Sequence, residues 1–326
     1  MSAVPPTSRA GAAPVNAPPA GAAPVDPALA AGVRDDVVAW FGAHARDLPW
    51  RAPDRTPWGV LVSEVMLQQT PVVRVEPAWR AWTTRWPTPA DLAAAGPADV
   101  LRAWDRLGYP RRALRLQECA RAVVERHGGV VPSDEEALLA LPGIGAYTAA
   151  AVRAFAFGLR SVVLDTNVRR VLARVAEGVA LPAPALTVGE RRLAEAFVPA
   201  DDDGAARWAA ASMELGALVC TARAPRCEAC PVADRCAWRL AGKPADVHAA
   251  RRRTQAWAGT DRQVRGRIMA LLREALEPAP AEAVAAVWPD DAQRDRCLAG
   301  LLVDGLVERV PGEDPERPRY RLPAGA

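Results

Sequence analysis

At 326 residues the chain is long enough for two to three domains of ordinary size, which excludes a single small module. Half of its residues are hydrophobic, yet no apolar run reaches the roughly 18 positions a membrane span needs, and the first residues lack the basic start and apolar stretch of a secretory signal. The expected location is therefore the cytoplasm. The formal charge of +3 is too small to identify a nucleic-acid partner, although nearly all the positive charge is arginine, which grips phosphate through a planar fork.

Residues 1–27 are almost entirely Ala, Pro, Gly and Val without periodicity, so they are expected to form a disordered tail. From there the pattern turns helical. Asp26 is a plausible N-cap, Pro27 suits a first helical position, and Leu29, Val33, Val37, Trp40 and Phe41 recur at helical spacing. An Arg-rich helix from about Arg111 to His127 should end at Gly128-Gly129, and Ser133 with Glu136 reads as a capping box for the next one. Ala-rich helices continue to Val219, and no strand is expected before residue 300. The last segment opens with a polar connection at Arg251-Arg252-Arg253. Three helices follow: one with Val264, Ile268, Leu271 and Leu272 on one face, one near Ala281–Trp288, and one ending at Leu302. Two strand-like pieces, Leu306–Val310 and Arg319–Leu322, flank a charged turn and complete a winged-helix-like pattern.

Four of the six cysteines crowd into one window, Cys220, Cys227, Cys230 and Cys236, spaced C-x6-C-x2-C-x5-C. In a chain without an export signal this favours a metal site over disulfides. Four thiolates in one short loop can wrap a [4Fe–4S] cluster, whereas structural zinc usually takes two closely paired knuckles and only one is present; zinc or unliganded thiols remain the alternatives. Cys119 and Cys297 lie on apolar helical faces and read as buried small hydrophobes.

Leu141-Pro142-Gly143-Ile144-Gly145 sits between two helices. Gly143 and Gly145 let the backbone approach a phosphate, and the following helix presents unpaired N–H groups at its positive end. On the glycines alone a plain tight turn is the commoner reading. Twenty residues on, Asp165 opens another helix in Val162-Val163-Leu164-Asp165-Thr166-Asn167, where its simplest role would be an N-cap.

Hairpin, downstream Asp and four-cysteine loop together resemble the helix-hairpin-helix superfamily of DNA glycosylases over roughly residues 29–240. Within that span Leu48-Pro49-Trp50-Arg51, the run from Val62 to Thr70, Leu107-Gly108-Tyr109 and Leu215-Gly216-Ala217 resemble the adenine DNA glycosylase (MutY) family. The resemblance implies a mainly α chain. It would comprise a six-helix barrel domain at 58–163, an iron–sulfur helical domain from 28–57 and 164–240, a linker at 241–259 and the winged-helix-like module at 260–326. It further implies a [4Fe–4S] cluster on the four cysteines, duplex DNA holding an adenine mispair as partner, and a monomer in the bacterial cytosol or nucleoid.

By the same resemblance Glu64 is the acid that protonates the departing adenine, Asp165 stabilises the cationic sugar, and Tyr147 and Asn167 position them, with plain packing beside the hairpin as the bland alternative for Tyr147. Burial in an apolar helix between Leu61 and Leu67 should raise the Glu64 pKa, which suits an acid. Arg46, Leu48, Trp50 and Arg51 resemble the adenine pocket, with a solvated pair as the bland alternative for the two arginines. Gln68, Gln69, Tyr109, Gly143 and Gly145 would meet DNA, with Gln68 on the Glu64 helix face. Tyr147 stands where relatives that cleave the strand carry a lysine, so imine chemistry has no nucleophile and a monofunctional hydrolase is expected. The chain departs from the family at Pro110, at Ala209-Ala210, and in lacking a Nudix-like C-terminal domain that recognises 8-oxoguanine. In its place Arg262, Arg265 and Arg267 could grip phosphates or simply form a solvated face. The rival readings are a cluster-bearing pyrimidine or uracil glycosylase and a non-catalytic DNA-binding redox sensor.

Overall fold

The computed structural model describes residues 25–251, 258–310 and 318–325. Most of the expected tail, part of the Arg251–Arg253 connection and most of the charged turn fall outside these residues. Helix starts follow local chemistry. Asp26 caps α1 (Pro27–His44) by accepting from the Ala28 amide at 2.9 Å, and Thr56 caps α2 (Pro57–Leu67) by accepting from the Gly59 amide at 3.0 Å. Next come α3 (Val72–Arg85), α4 (Pro89–Ala94), α5 (Pro97–Trp104) and α6 (Arg111–His127), the last ended by Gly128 in the left-handed region. The following helix, α7 (Glu135–Leu139), is capped by Asp134, whose carboxylate accepts from the Ala137 amide; the Ser133–Glu136 capping box is not formed, because the acid one residue later takes the amide three positions on.

Helix α2 is buried along its length from Trp58 to Met66 and packs against α3 and α8 (Ala146–Phe157). These helices, with α4 to α6, enclose one apolar core that holds Trp58, Trp82, Trp104, Leu101 and Leu116. A second core joins α1 to α9 (Thr166–Ala176), α10 (Val188–Phe197), α11 (Asp202–Leu218) and the short α12 (Ala237–Leu240), around Val33, Val37, Val171, Phe197 and Leu215. Alanines 150, 151, 154 and 209 stitch α8 to α11, their small side chains letting the two halves approach closely.

The last segment contains α13 (Asp261–Glu274), α14 (Ala281–Ala285) and α15 (Asp291–Val303). Its sheet has an unexpected member. Strand β1 (Ala279–Pro280) precedes α14 and pairs antiparallel with β3 (Arg319–Arg321), which also pairs with β2 (Glu308–Val310), in the order β1-β3-β2. Two residues, one of them proline, carry no alternation that sequence could show. The buried side chains of this segment, among them Ile268, Leu272 and Leu301, are continuous with the first core.

Candidate active site

Glu64 lies on α2 with its side chain facing α8, and only 4% of the residue is exposed. The Tyr147 hydroxyl, from the first turn of α8, donates to its Oε2 at 2.9 Å. Burial raises the Glu64 carboxyl to about 7; the Tyr147 hydrogen bond and the charge of Arg51 oppose the rise, and the nearby Asp165 charge adds to it. Glu64 can therefore hold a proton near neutrality, as its apolar setting in the sequence suggested. Tyr147 is itself driven well above the ordinary phenol value, so it stays a neutral donor.

Asp165 is the N-cap of α9 and is also part of this cluster, so the two readings of it are not exclusive. Its Oδ1 accepts from the amides of Asn167 (2.9 Å) and Val168 (2.7 Å), and its Oδ2 accepts from Asn167 Nδ2 at 2.7 Å. Burial raises its pKa, while these three hydrogen bonds and the Arg170 charge pull it back. Asn167 is held in turn by Arg170, whose Nη2 donates to Asn167 Oδ1 (2.8 Å) and to the carbonyl of Gly216 (2.7 Å). Gly216 has no alternative. A Cβ there would sit 2.7 Å from Asn167 Cβ, so glycine on α11 is what allows α9 to lie this close.

Arg46 and Arg51 are not a solvated pair. Both reach Glu214 on α11, whose side chain is completely buried. Arg46 donates to it from its backbone N (3.0 Å), Nε (2.7 Å) and Nη2 (2.7 Å), and Arg51 from Nη2 (3.0 Å). Burial alone would raise the Glu214 pKa, but these contacts outweigh it and hold the carboxylate at about 2. Arg51 keeps a buried Nη1 with no partner. Leu48 and Trp50 are buried beside it, with Trp50 edge-on to Trp79. Glu214 was not singled out from sequence; the available signal was a lone acid in the Ala-rich run of α11.

The four cysteines surround one small cavity between α9, α11 and α12. Their single C-x2-C pair, at Cys227 and Cys230, lacks the second knuckle that structural zinc usually takes. A larger inorganic core suits the same loop. Burial first, and then the charges of its neighbouring cysteines, push the Cys230 thiol up to about 11, so its thiolate here needs a cationic metal core beside it. Arg174, almost wholly buried, donates to Cys220 Sγ at 3.2 Å and to the carbonyls of Thr221 and Ala222, and Arg170 Nε donates to the Cys220 carbonyl at 2.6 Å. The donors fit an iron–sulfur cluster, and Arg170 ties its loop to Asn167 and so to Asp165.

At the far end of α2 the helix stops at Leu67, so Gln68 leaves the Glu64 face rather than continuing it. Gln69 (φ 57°) and Tyr109 (φ 48°) hold left-handed backbone without being glycine, a strain of roughly 1–3 kcal/mol each that persists only under surrounding constraint. Arg112 supplies that constraint. Its Nη1 donates to the carbonyls of Val65, Met66 and Gln68, and its Nη2 to Thr70 Oγ1 and the carbonyls of Leu107 and Gly108. Gly143, at φ 78°, turns the hairpin, and Gly145 leaves the first amides of α8 without a side-chain cap. A wide cleft opens here, beside Gln68, Gln69, Tyr109 and Gly143, and Glu64 does not line it.

Residues 62–184 match the model of the HhH-GPD superfamily base excision DNA repair proteins, and residues 220–236 match that of the iron-sulfur binding domain of endonuclease III. Fold and site thus define a helix-hairpin-helix base-excision glycosylase with an iron–sulfur domain. An adenine DNA glycosylase from Mycolicibacterium smegmatis is 54% identical over 84% of this chain and 92% of its own length; one from Mycobacterium tuberculosis is 51% identical over 84% and 90%. A thermostable thymine-DNA glycosylase structure aligns with 66% of this chain and 98% of its own, at 28% identity and TM-score 0.59. The chain belongs to the adenine DNA glycosylase family, hydrolases of base excision repair. Among the described residues no helix is long and apolar enough to cross a membrane.

Proposed function

We propose that the chain is a monofunctional enzyme that hydrolyses the N-glycosidic bond of adenine mispaired with guanine or 8-oxoguanine in duplex DNA. The observation that carries this is a buried Glu64, protonated near neutrality, in electrostatic contact with Asp165. Adenine is a poor leaving group as an anion, and Glu64 delivers the proton that lets it depart; the family resemblance implies N7 as the acceptor. A placed acid contributes about 10²–10⁴ in rate. Asp165, oriented by Asn167, then faces the oxocarbenium-like sugar until water completes hydrolysis. The unpartnered Arg51 Nη1 offers a donor to the base, and Glu214 fixes the arm that carries it.

The target bond is out of reach inside a stacked duplex, so the nucleotide is extruded, at a cost of a few kcal/mol that is smallest at a mismatch. Gln69, Tyr109 and the hairpin glycines hold the distorted duplex. Cys220, Cys227, Cys230 and Cys236 hold a [4Fe–4S] cluster, which cross-links their loop when bound. With Tyr147 in place of a lysine no imine forms, and the strand stays intact.

The test is a single-turnover panel of duplexes with adenine opposite guanine, 8-oxoguanine or thymine, beside uracil and oxidised-thymine controls. Adenine release from the first two, with an uncut strand, is expected. Preferential release of a pyrimidine would replace this reading with the pyrimidine-directed one that the thymine-DNA glycosylase likeness raises.

A further inference from the structure

The cleft beside Tyr109 has a second wall. It measures about 1220 Å³ and runs between the 105–112 loop and hairpin on one side and α13 of the C-terminal segment on the other. That exceeds the roughly 300–1,000 Å³ of small-ligand pockets. Nine arginines line it against a single carboxylate, Asp105. Several are committed to structure: Arg112 to the loop carbonyls, Arg265 to Asp304, Arg273 to the carbonyls of Asp105 and Met269. Arg106 and Arg115 are exposed, and their guanidinium groups have no ion-pair or hydrogen-bond partner among the described residues. Facing them, α13 presents exposed Arg262 and Arg267, the latter steadied by Trp288, 4.9 Å from its Cζ, and by the Val287 carbonyl, to which its Nη1 donates at 3.3 Å; Gly266 is open between them, with nothing within 4 Å of where its Cβ would stand. Arg262 stacks on Tyr109, its Cζ 4.6 Å from the ring centroid. Three of the four non-glycine residues with left-handed backbone among the described ones, Gln69, Asp105 and Tyr109, border this cleft.

An open trough too large for a small molecule, lined by cations and continuous with strained loops, suits a linear polyanion. We propose that the cleft binds a run of DNA phosphodiester backbone beside the extruded nucleotide, with Arg106 and Arg115 on one wall and Arg262 and Arg267 on the other. The C-terminal segment is then half of a clamp, and Arg262 sets where Tyr109 stands. This rests on the DNA-acting reading above and assigns α13 a part in it.

The test measures affinity of the full-length, cluster-bearing protein for a fully paired and a mispaired duplex between 50 and 200 mM salt. Replacing Arg262 and Arg267 together by Ala should lower the slope of log affinity against log salt by about 1–2 and weaken binding by about tenfold at 0.1 M. Gly266→Glu places an acid on the open face without touching a core residue, and should weaken binding by a similar factor, whereas Gly266→Ala should not. Arg321→Ala, which removes a charge from the small sheet, should leave the slope as in wild type. Wild-type slope and affinity in both the double variant and Gly266→Glu would overturn the clamp, as would an equal loss in Arg321→Ala, which would indicate diffuse charge. Wild-type protein that binds no duplex at all would overturn both readings, whereas altered variants of a binding, adenine-releasing enzyme bear on the clamp alone.

Discussion

Two glutamates sit in two apolar helices, and the surroundings give them opposite protonation states. Glu64 on α2 meets the neutral hydroxyl of Tyr147 and the like charge of Asp165, and its carboxyl rises to about 7. Glu214 on α11 is buried at least as deeply, but four donors from Arg46 and Arg51 hold it at about 2. Burial is common to both, so it is the partners that decide which acid keeps its proton. One side of the site thereby stores a proton for chemistry while the other fixes two arginines in place.

The sharpest way to break the contrast is Glu64→Gln. Single-turnover adenine release should fall by about 10²–10⁴, equivalent to ~3–5 kcal/mol, with the fold kept; release within tenfold of wild type would dismiss Glu64 as the acid. Stability against pH separates the two residues next. The folded Glu64 binds its proton more tightly than the unfolded carboxyl, so its contribution is present below about 4.5 and is lost as pH rises to about 7, some ~3 kcal/mol in all. Glu214 behaves oppositely: its contribution is present above about 4.5 and is lost as pH falls towards 2. Urea denaturation of wild type and Glu64→Gln across pH 4.5–7.5 should show a steeper falling limb in wild type, the shallower one left in the variant belonging to Asp165 and Glu177, whose pKa values burial also raises.

Glu214→Gln should cost about 2–3 kcal/mol in the same assay, below the full value for breaking a buried pair because Arg46 and Arg51 remain a quarter to a third exposed. Unaltered stability would mean that the arginines find other partners. The smallest effect is expected of Tyr147→Phe. Losing the donor to Glu64 removes an influence that favours the ionised form, so the alkaline fall in rate should move upward by less than about one pH unit. A downward move would refute the assigned direction.

What sequence made visible, and what it hid, follows the reach of each interaction. The α1 start, the end of α6 at Gly128, the hairpin and the cysteine spacing depend on neighbours within a few residues, and all could be read directly. The Asp134 cap was missed because three polar residues in a row compete for one role, and β1 because a two-residue strand has no period. Glu64 stood out as an acid inside an unbroken apolar helix, whereas Glu214 depends on arginines some 160 positions away, a pairing that no local pattern announces. Arg112 was hidden for a related reason: its worth lies in carbonyls, which every sequence has everywhere.

The second core also constrains how the polypeptide acquires its shape. Helix α1 emerges early in synthesis, yet it packs on α11, which ends at Leu218, so on a ribosome it must wait for most of the remaining chain. The part of the first core built by α2 to α8 can close while α1 is still unpaired, whereas its C-terminal share, from Val264 on, arrives after α11. Docking of α11 onto that waiting segment is what brings Glu214 to Arg46 and Arg51.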